Sequence, residues 1–278
     1  MSDEPHFSIF GRALPVPRHG TEVARTVLSA WSWSVLAGLA IGGFGVQLPL
    51  AAATWSDKTR RVPGRFARDV AVLIAKINPM WDFRIHGELP SYRPSKTVVI
   101  ANHVSNSDAF LISHLPWEMK WLGKSSLFYI PFVGWLMWLA GDVPVRRGAK
   151  GSVKDAMAHC REHLERGMPV MIFPEGTRSK TGELLPFKDG AFRLAIETGA
   201  DILPIGVAGT KTALPKHSWR FGFSQGLVAV GEPIATEGMT LDDLPALKDR
   251  ARARIEALLA DLAQAQDGAA QDGAAQGS

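Results

Sequence analysis

Between Thr26 and Ser56 the chain carries no charged residue. Within that stretch Val27–Ala53 is almost wholly apolar and exceeds the ~20 residues that cross a bilayer as a helix. Such a run must be covered by lipid or by the rest of the protein. Trp31 and Trp33 lie near one end and Trp55 near the other, where aromatic rings anchor at headgroup depth. Arg12, Arg18 and Arg25 precede the run, and Lys58, Arg60, Arg61, Arg65 and Arg68 follow it. Basic residues on both flanks give no orientation. Gly38, Gly42, Gly43, Gly45 and Pro49 could interrupt a helix. Two arrangements follow: one tilted span, or a re-entrant hairpin with both ends cytoplasmic, which accounts for the symmetric charge. A core helix of this length would carry more polar residues. Ala51-Ala52-Ala53 resembles a cleavage site, but the leader and the run are both too long for a signal peptide.

From Arg65 to Phe83, Phe66, Val70, Leu73, Ile74 and Ile77 recur at helical spacing among Arg65, Arg68, Asp69 and Lys76. A basic amphipathic helix of this kind lies on a membrane surface or packs on a domain core. The 278 residues are 46% hydrophobic, enough for a sizeable core, and the net charge is +4. That excess suits an anionic membrane or a phosphorylated substrate. Nucleic acid is not expected, since no recognition motif or aromatic-basic platform is present. Cys160 is the only cysteine, which excludes an internal disulfide and a thiolate metal cluster.

After Pro79 strand and helix patterns alternate. Strands are expected at 83–86, 97–101, 119–122, 143–145, 170–173, 202–207 and 227–230. Helices are expected at 106–115, 130–139, 152–166, 191–198 and 244–262. This predicts an α/β fold, a mixed sheet flanked by helices. The organisation is a leader (1–26), a membrane-embedded helical segment (27–56), an amphipathic interfacial helix region (57–82), the α/β domain (83–264) and a low-complexity, disordered tail (265–278) in which Gln-Asp-Gly-Ala-Ala occurs twice.

The chemistry gathers in loops that follow strands, where α/β sheets bind ligands. Thr97–Ala101 runs into Asn102-His103-Val104-Ser105-Asn106-Ser107-Asp108. Ser105 suits an N-cap, with Asp108 as the acid three residues on. Asp108 either caps this helix alone or folds back to one ring nitrogen of His103, leaving the other as a base. Val170–Phe173 empties into Pro174-Glu175-Gly176-Thr177-Arg178-Ser179. Backbone N–H groups and a guanidinium there can bind an oxyanion. Gly141–Val145 leads to Arg146 and Arg147.

Together these blocks resemble the glycerolipid acyltransferase family. Asn102-His103 with Asp108 five residues after the histidine is similar to its first motif, Gly141–Arg147 to its second, Phe173–Ser179 to its third and Leu203–Val207 to its fourth. The match runs from about Asp82 to Pro233, and within the family it is nearest to bacterial 1-acyl-glycerol-3-phosphate acyltransferases. The resemblance implies the glycerolipid acyltransferase fold. It implies transfer from acyl-CoA or acyl-carrier protein to a lysophospholipid hydroxyl, giving phosphatidic acid, at the cytoplasmic face of a cell inner membrane. His103 and Asp108 are then catalytic. Arg147, Arg178 and Lys188 contact the acceptor with Gly176 and Thr177, and Glu175 either organises its loop or touches a glycerol hydroxyl. No metal or cofactor is implied. Partners are the acceptor, the acyl donor and membrane lipids. Arg146 departs from the family, many of whose members carry an acid there, so lyso-ornithine lipid or glycerol 3-phosphate remain alternative acceptors.

Two other classes are weighed against this. Gly222-Phe223-Ser224-Gln225-Gly226 fits the serine-hydrolase elbow, but a strand-like segment follows it and no histidine comes after His217, against the hydrolase order. A non-catalytic membrane-binding protein would lack His103 or Asp108.

Overall fold

The computed structural model describes residues 6–9, 12–15, 21–215 and 218–275. Its first element is a two-stranded antiparallel hairpin of β1 (His6–Ile9) and β2 (Arg12–Pro15). Helix α1 (Thr21–Ala53) follows as one uninterrupted helix of 33 residues. The hairpin reading of the apolar run is therefore corrected: the chain passes through all four glycines and Pro49 without turning. Packing supplies the reason. Ala40, Leu36, Leu39 and Phe44 of α1 pack with Val70 and Ile74 of α2 (Arg61–Ile77) and Leu136 of α4 (Val133–Ala140). Gln47, fully buried, donates to the carbonyls of Pro63 and Leu136 at 2.8 and 3.1 Å.

The other end of α1 is fixed as firmly. Arg25 Nε donates to the Phe221 carbonyl at 2.8 Å, Ser29 Oγ accepts the Phe221 N–H at 3.0 Å, and Trp33 Nε1 donates to the Trp219 carbonyl at 2.7 Å. Away from the domain the helix bares Val27, Trp31, Ile41 and Leu48, each half exposed or more. By length and composition α1 could cross a membrane.

Helix α2 lies inside the fold rather than wholly on its surface. Its apolar residues meet α1 and α4, and Arg68 is buried, 2.5 Å from Asp142 Oδ2. Beside this pair, Lys120 Nζ donates to Glu118 Oε1 at 2.8 Å and to the Ala140 carbonyl at 2.7 Å. Core packing, one of the two roles expected for the basic helix, is observed, and Leu73 and Ile77 are left exposed.

The domain is a seven-stranded mixed sheet in the order β3 (Trp81–Ile85), β9 (Ser224–Val230), β8 (Asp201–Ala208), β4 (Thr97–Ala101), β7 (Val170–Ile172), β5 (Lys120–Lys124), β6 (Val143–Val145). Only the β8–β9 pairing is antiparallel. Alternation of side chains along the strands divides the core into two layers. Val98 and Ile100 of β4 and Ile202 of β8 point to the layer of α5 (Lys150–Glu165), α6 (Gly190–Thr198) and α7 (Leu244–Ala275). Val99, Ala101, Leu203 and Ile205 point to the layer of α3 (Asp108–Ile112). Both faces of β4 are covered, which is why it reads as an unbroken apolar run.

Two helices differ most from expectation. Helix α3 is five residues long rather than ten: Asn106 and Ser107 belong to the turn that Asp108 holds, and past Ile112 the backbone tightens into turns from His114 to Leu111 and from Leu115 to Ile112. Helix α7 continues to Ala275, through residues expected to be disordered. Alanine supports helix better than any other residue, and Gln266 Nε2 ties the extension to the Gln225 carbonyl of β9 at 2.9 Å.

Candidate active site

Strands β4, β7, β5 and β6 run parallel, so their carboxyl ends open on one edge, and β8 beside β4 shares that direction. His103 stands two residues past β4, Glu175 to Ser179 follow β7, Arg147 follows β6, and Thr210 follows β8. Sequence segments far apart therefore meet without any loop crossing the sheet.

Asp108 is completely buried. Its Oδ2 accepts from His103 Nδ1 at 2.8 Å and from the N–H groups of Val104 and Ser105 at 2.9 Å each. Its Oδ1 accepts from Thr210 Oγ1 at 2.5 Å. The carboxylate thus closes the turn and orients the ring together, uniting the two roles expected as alternatives. A carboxylate can only accept, so the Nδ1 of His103 carries the hydrogen and Nε2 keeps a lone pair. Phe173 stacks on the imidazole at 3.9 Å between ring centroids, 16° from parallel. Trp121 lies against Phe173 in turn.

The loop after β7 grips the His103 backbone on both sides. Glu175 Oε1 accepts the His103 N–H at 2.8 Å, and the Ser179 N–H donates to the His103 carbonyl at 2.8 Å. Glu175 Oε2 accepts the Leu185 N–H at 3.2 Å. Burial pushes the Glu175 carboxyl above its usual range, and these two N–H groups pull it back. With both oxygens engaged and the residue 3% exposed, Glu175 braces the loop; a direct contact to a hydroxyl is the weaker of its two expected roles.

Gly176 has φ +69°, and a Cβ there would lie 2.7 Å from Lys188 Nζ. Glycine takes this turn without strain and leaves room for the lysine chain across it. Arg178 is half-buried, while Arg147, Thr177 and Lys188 are exposed. Although Arg147 is exposed as a whole, partial desolvation of its guanidinium, and then the charge of Arg178, hold it below the ordinary arginine value. Two guanidinium groups thus feel each other, and neither makes an ion pair among the described residues. The arrangement favours an anion with several acceptor oxygens.

Residues 82–208 match the family model described as Acyltransferase. Residues 82–208 form an acyltransferase-family domain. All eight site residues expected from the sequence lie within that acyltransferase segment. A 1-acyl-sn-glycerol-3-phosphate acyltransferase of Chlamydomonas reinhardtii is 34% identical over 212 residues, covering 73% of this chain and 63% of the relative. The chain thus spans less than two thirds of that protein's length. The 1-acyl-sn-glycerol-3-phosphate acyltransferase of Haemophilus influenzae is 29% identical over 198 residues, covering 69% of this chain and 81% of the relative. In fold the acyltransferase domain and its helices are similar to the crystal structure of PlsC from Thermotoga maritima, with a TM-score of 0.71 at 22% identity over 87% of this chain and 97% of that one.

Four residues contribute to the site in roles that the sequence did not assign, although Asn102 and Phe173 stand within the quoted motifs. Thr210 completes the Asp108 shell. Asn102 ties β4 to β8 by donating to the Val207 carbonyl and accepting its N–H, both at 2.8 Å. Phe173 supplies the ring beneath His103. Arg252 of α7 donates to the carbonyls of Leu184 and Leu185 beside the Glu175 brace. For Thr210 and Asn102 a signal was present, a polar residue just past an apolar strand; for Arg252 there was none. The serine-hydrolase alternative fails on geometry. Ser224 opens β9 instead of sitting on an elbow, and its hydroxyl donates to the Gly209 carbonyl. His217 lies outside the described residues.

Proposed function

We propose that the protein transfers an acyl group from acyl-CoA or acyl-carrier protein to the sn-2 hydroxyl of 1-acyl-glycerol-3-phosphate, giving phosphatidic acid. The observation that carries this reading is a buried His103–Asp108 pair beside two arginines that make no ion pair among the described residues. A base that deprotonates an alcohol belongs next to a site for the alcohol's phosphate.

In this scheme His103 Nε2 takes the proton of the acceptor hydroxyl as its oxygen attacks the thioester carbonyl. Asp108 stabilises the resulting imidazolium, and Thr210 and the Val104 and Ser105 amides keep that carboxylate in place. Collapse of the tetrahedral intermediate breaks the carbon–sulfur bond, and the imidazolium returns its proton to the leaving thiolate. General-base assistance of this kind contributes about 10²–10⁴-fold. Arg147 and Arg178 hold the acceptor phosphate, with Lys188, Thr177 and the backbone at Gly176 around it. The chemistry draws on no metal or cofactor, because a thiolate leaves readily.

The exposed apolar side of α1 associates with a membrane, and because α1 is docked at both ends it lies in the bilayer as part of the domain's surface. We place the active site at the cytoplasmic face of the inner membrane, where acyl thioesters are made. The test offers the purified protein 1-acyl-glycerol-3-phosphate, glycerol 3-phosphate and a lyso-ornithine lipid, first with acyl-CoA and then with an acyl-carrier thioester. Fastest turnover of the first acceptor supports the reading. Preference for another acceptor reassigns the substrate, and no transfer from either thioester to any acceptor overturns the reaction.

A further inference from the structure

The opposite edge of the sheet, where β6 begins, holds a cavity of about 260 Å³, at the other end of β6 from Arg147. Arg60, His159 and His163 supply its polar wall and Trp138 its apolar lip. Arg60 and His163 converge on Gly141: a methyl group added to that glycine would lie 3.4 Å from Arg60 Cβ and 3.8 Å from His163 Cε1. His163 is half-buried on this wall, against the Gly141 backbone. Asp142 also borders the space, but Arg68 holds its Oδ2 and the Trp121 N–H its Oδ1. The Arg60 guanidinium makes no hydrogen bond or ion pair among the described residues. The free charge in the cavity is therefore positive.

The position of the cavity indicates what fills it. Arg60 lies in the turn joining α1 to α2, so the cavity opens where the chain leaves its apolar helix. Trp138 is 53% exposed and Trp55 72% exposed, with Lys58 Nζ 5.8 Å from the Trp55 ring centre. Exposed tryptophans beside cations mark headgroup depth. We propose that this cavity is a second anion site, which takes the headgroup phosphate of an anionic membrane phospholipid, separate from the acceptor site at Arg147 and Arg178. The lipid source rests on the reading of α1 as membrane-associated; the anion site itself does not.

Titration calorimetry on the purified full chain in detergent tests it, using dihexanoylphosphatidylglycerol, dihexanoylphosphatidylcholine and inorganic phosphate as probes. The anionic lipid binds best. Arg60→Asn, chosen because asparagine tolerates the left-handed backbone of φ 52° at this position, weakens it by roughly tenfold or more, the loss of one charge-assisted contact. His159→Gln weakens it as well and stands in if the first variant misfolds. Lys58→Gln, outside the cavity, and Arg178→Ala, at the other edge, leave it unchanged. Equal binding by wild type, Arg60→Asn and His159→Gln overturns the site, as does loss of binding in Arg178→Ala alone. Inorganic phosphate binding as tightly as the lipid, with the same dependence on Arg60, overturns the lipid assignment. Failure of the wild type to float with phosphatidylcholine vesicles, with Arg60-dependent lipid binding intact, sinks the membrane reading of α1 and leaves the site standing.

Discussion

Asp108 Oδ2 lies 2.8 Å from His103 Nδ1, and the same oxygen holds the two backbone amides that follow the histidine. One atom therefore fixes both the tautomer of the base and the shape of its loop. His103→Ala should lower turnover by about 10²–10⁴-fold while thermal stability stays near wild type. Asp108→Asn should be comparably severe, since the amide presents a donor to Nδ1 and to the buried amides. Thr210→Val removes only the support of Oδ1 and should cost less. Turnover and melting temperature of the three variants check the order; near wild-type turnover in His103→Ala would remove its role.

Glu175→Gln tests the brace behind the base. The amide can accept one of the two N–H groups but must turn its own donor toward the other, at a cost of about 1–3 kcal/mol for the unpaired buried group. The expected result is a fall in kcat with little change in the KM for the lysophospholipid. A rise in KM with unchanged kcat would instead make Glu175 a substrate contact.

Arg178→Ala should weaken the acceptor far more than the acyl donor. A charge-assisted contact to an anion contributes about 1.5–3 kcal/mol, which is roughly ten- to a hundredfold in affinity. Lysine should restore part of this, since it lacks the planar fork. Steady-state kinetics with each substrate varied in turn decide the matter. A selective rise in the constant for acyl-CoA would assign the arginine to the donor.

Removal of residues 1–56 should yield a protein that aggregates without detergent. The deletion uncovers Val70, Ile74 and Leu136, which α1 now covers. Light scattering of the truncated chain with and without detergent measures this; a monodisperse, detergent-free product would show that α1 is dispensable to the fold.

His163 gives the protein a weakness on the acid side. Burial first, and then the nearby Lys120 charge, push its imidazole from the ordinary 6.5 down to about 4. The unfolded chain therefore takes up a proton near pH 6.5 that the folded chain refuses until about pH 4. Stability from this residue is intact above 6.5 and drains away as the pH falls through that window. Melting temperatures from pH 7.5 to 4.5 should drop less steeply in His163→Gln than in wild type; parallel curves would refute the assignment.

Apolar patterning made the sheet legible: β4 and β6 begin and end where the sequence placed them, and every other expected strand of the sheet lies within three residues of its observed bounds. The base and its acid were legible because they share one local turn. Long-range packing was not. Nothing near Arg68 says that its charge is buried against Asp142, and nothing near Pro49 says that the helix continues. Partners that arrive from distant segments, such as Thr210 on Asp108 and Arg252 on the loop beside Glu175, leave no periodic trace. The cavity at Gly141 was invisible for the same reason, since Arg60, Trp138 and His163 come from three separate elements.

The double grip of Glu175 and Ser179 on the His103 backbone has a consequence for exchange between homologues. Two loops 72 residues apart behave as a single machined part, with one loop setting the height of the other. A chimera that imports residues 102–108 from a relative and keeps its own 173–179 joins halves cut to different tolerances. Importing both together preserves the fit, whatever lies between them.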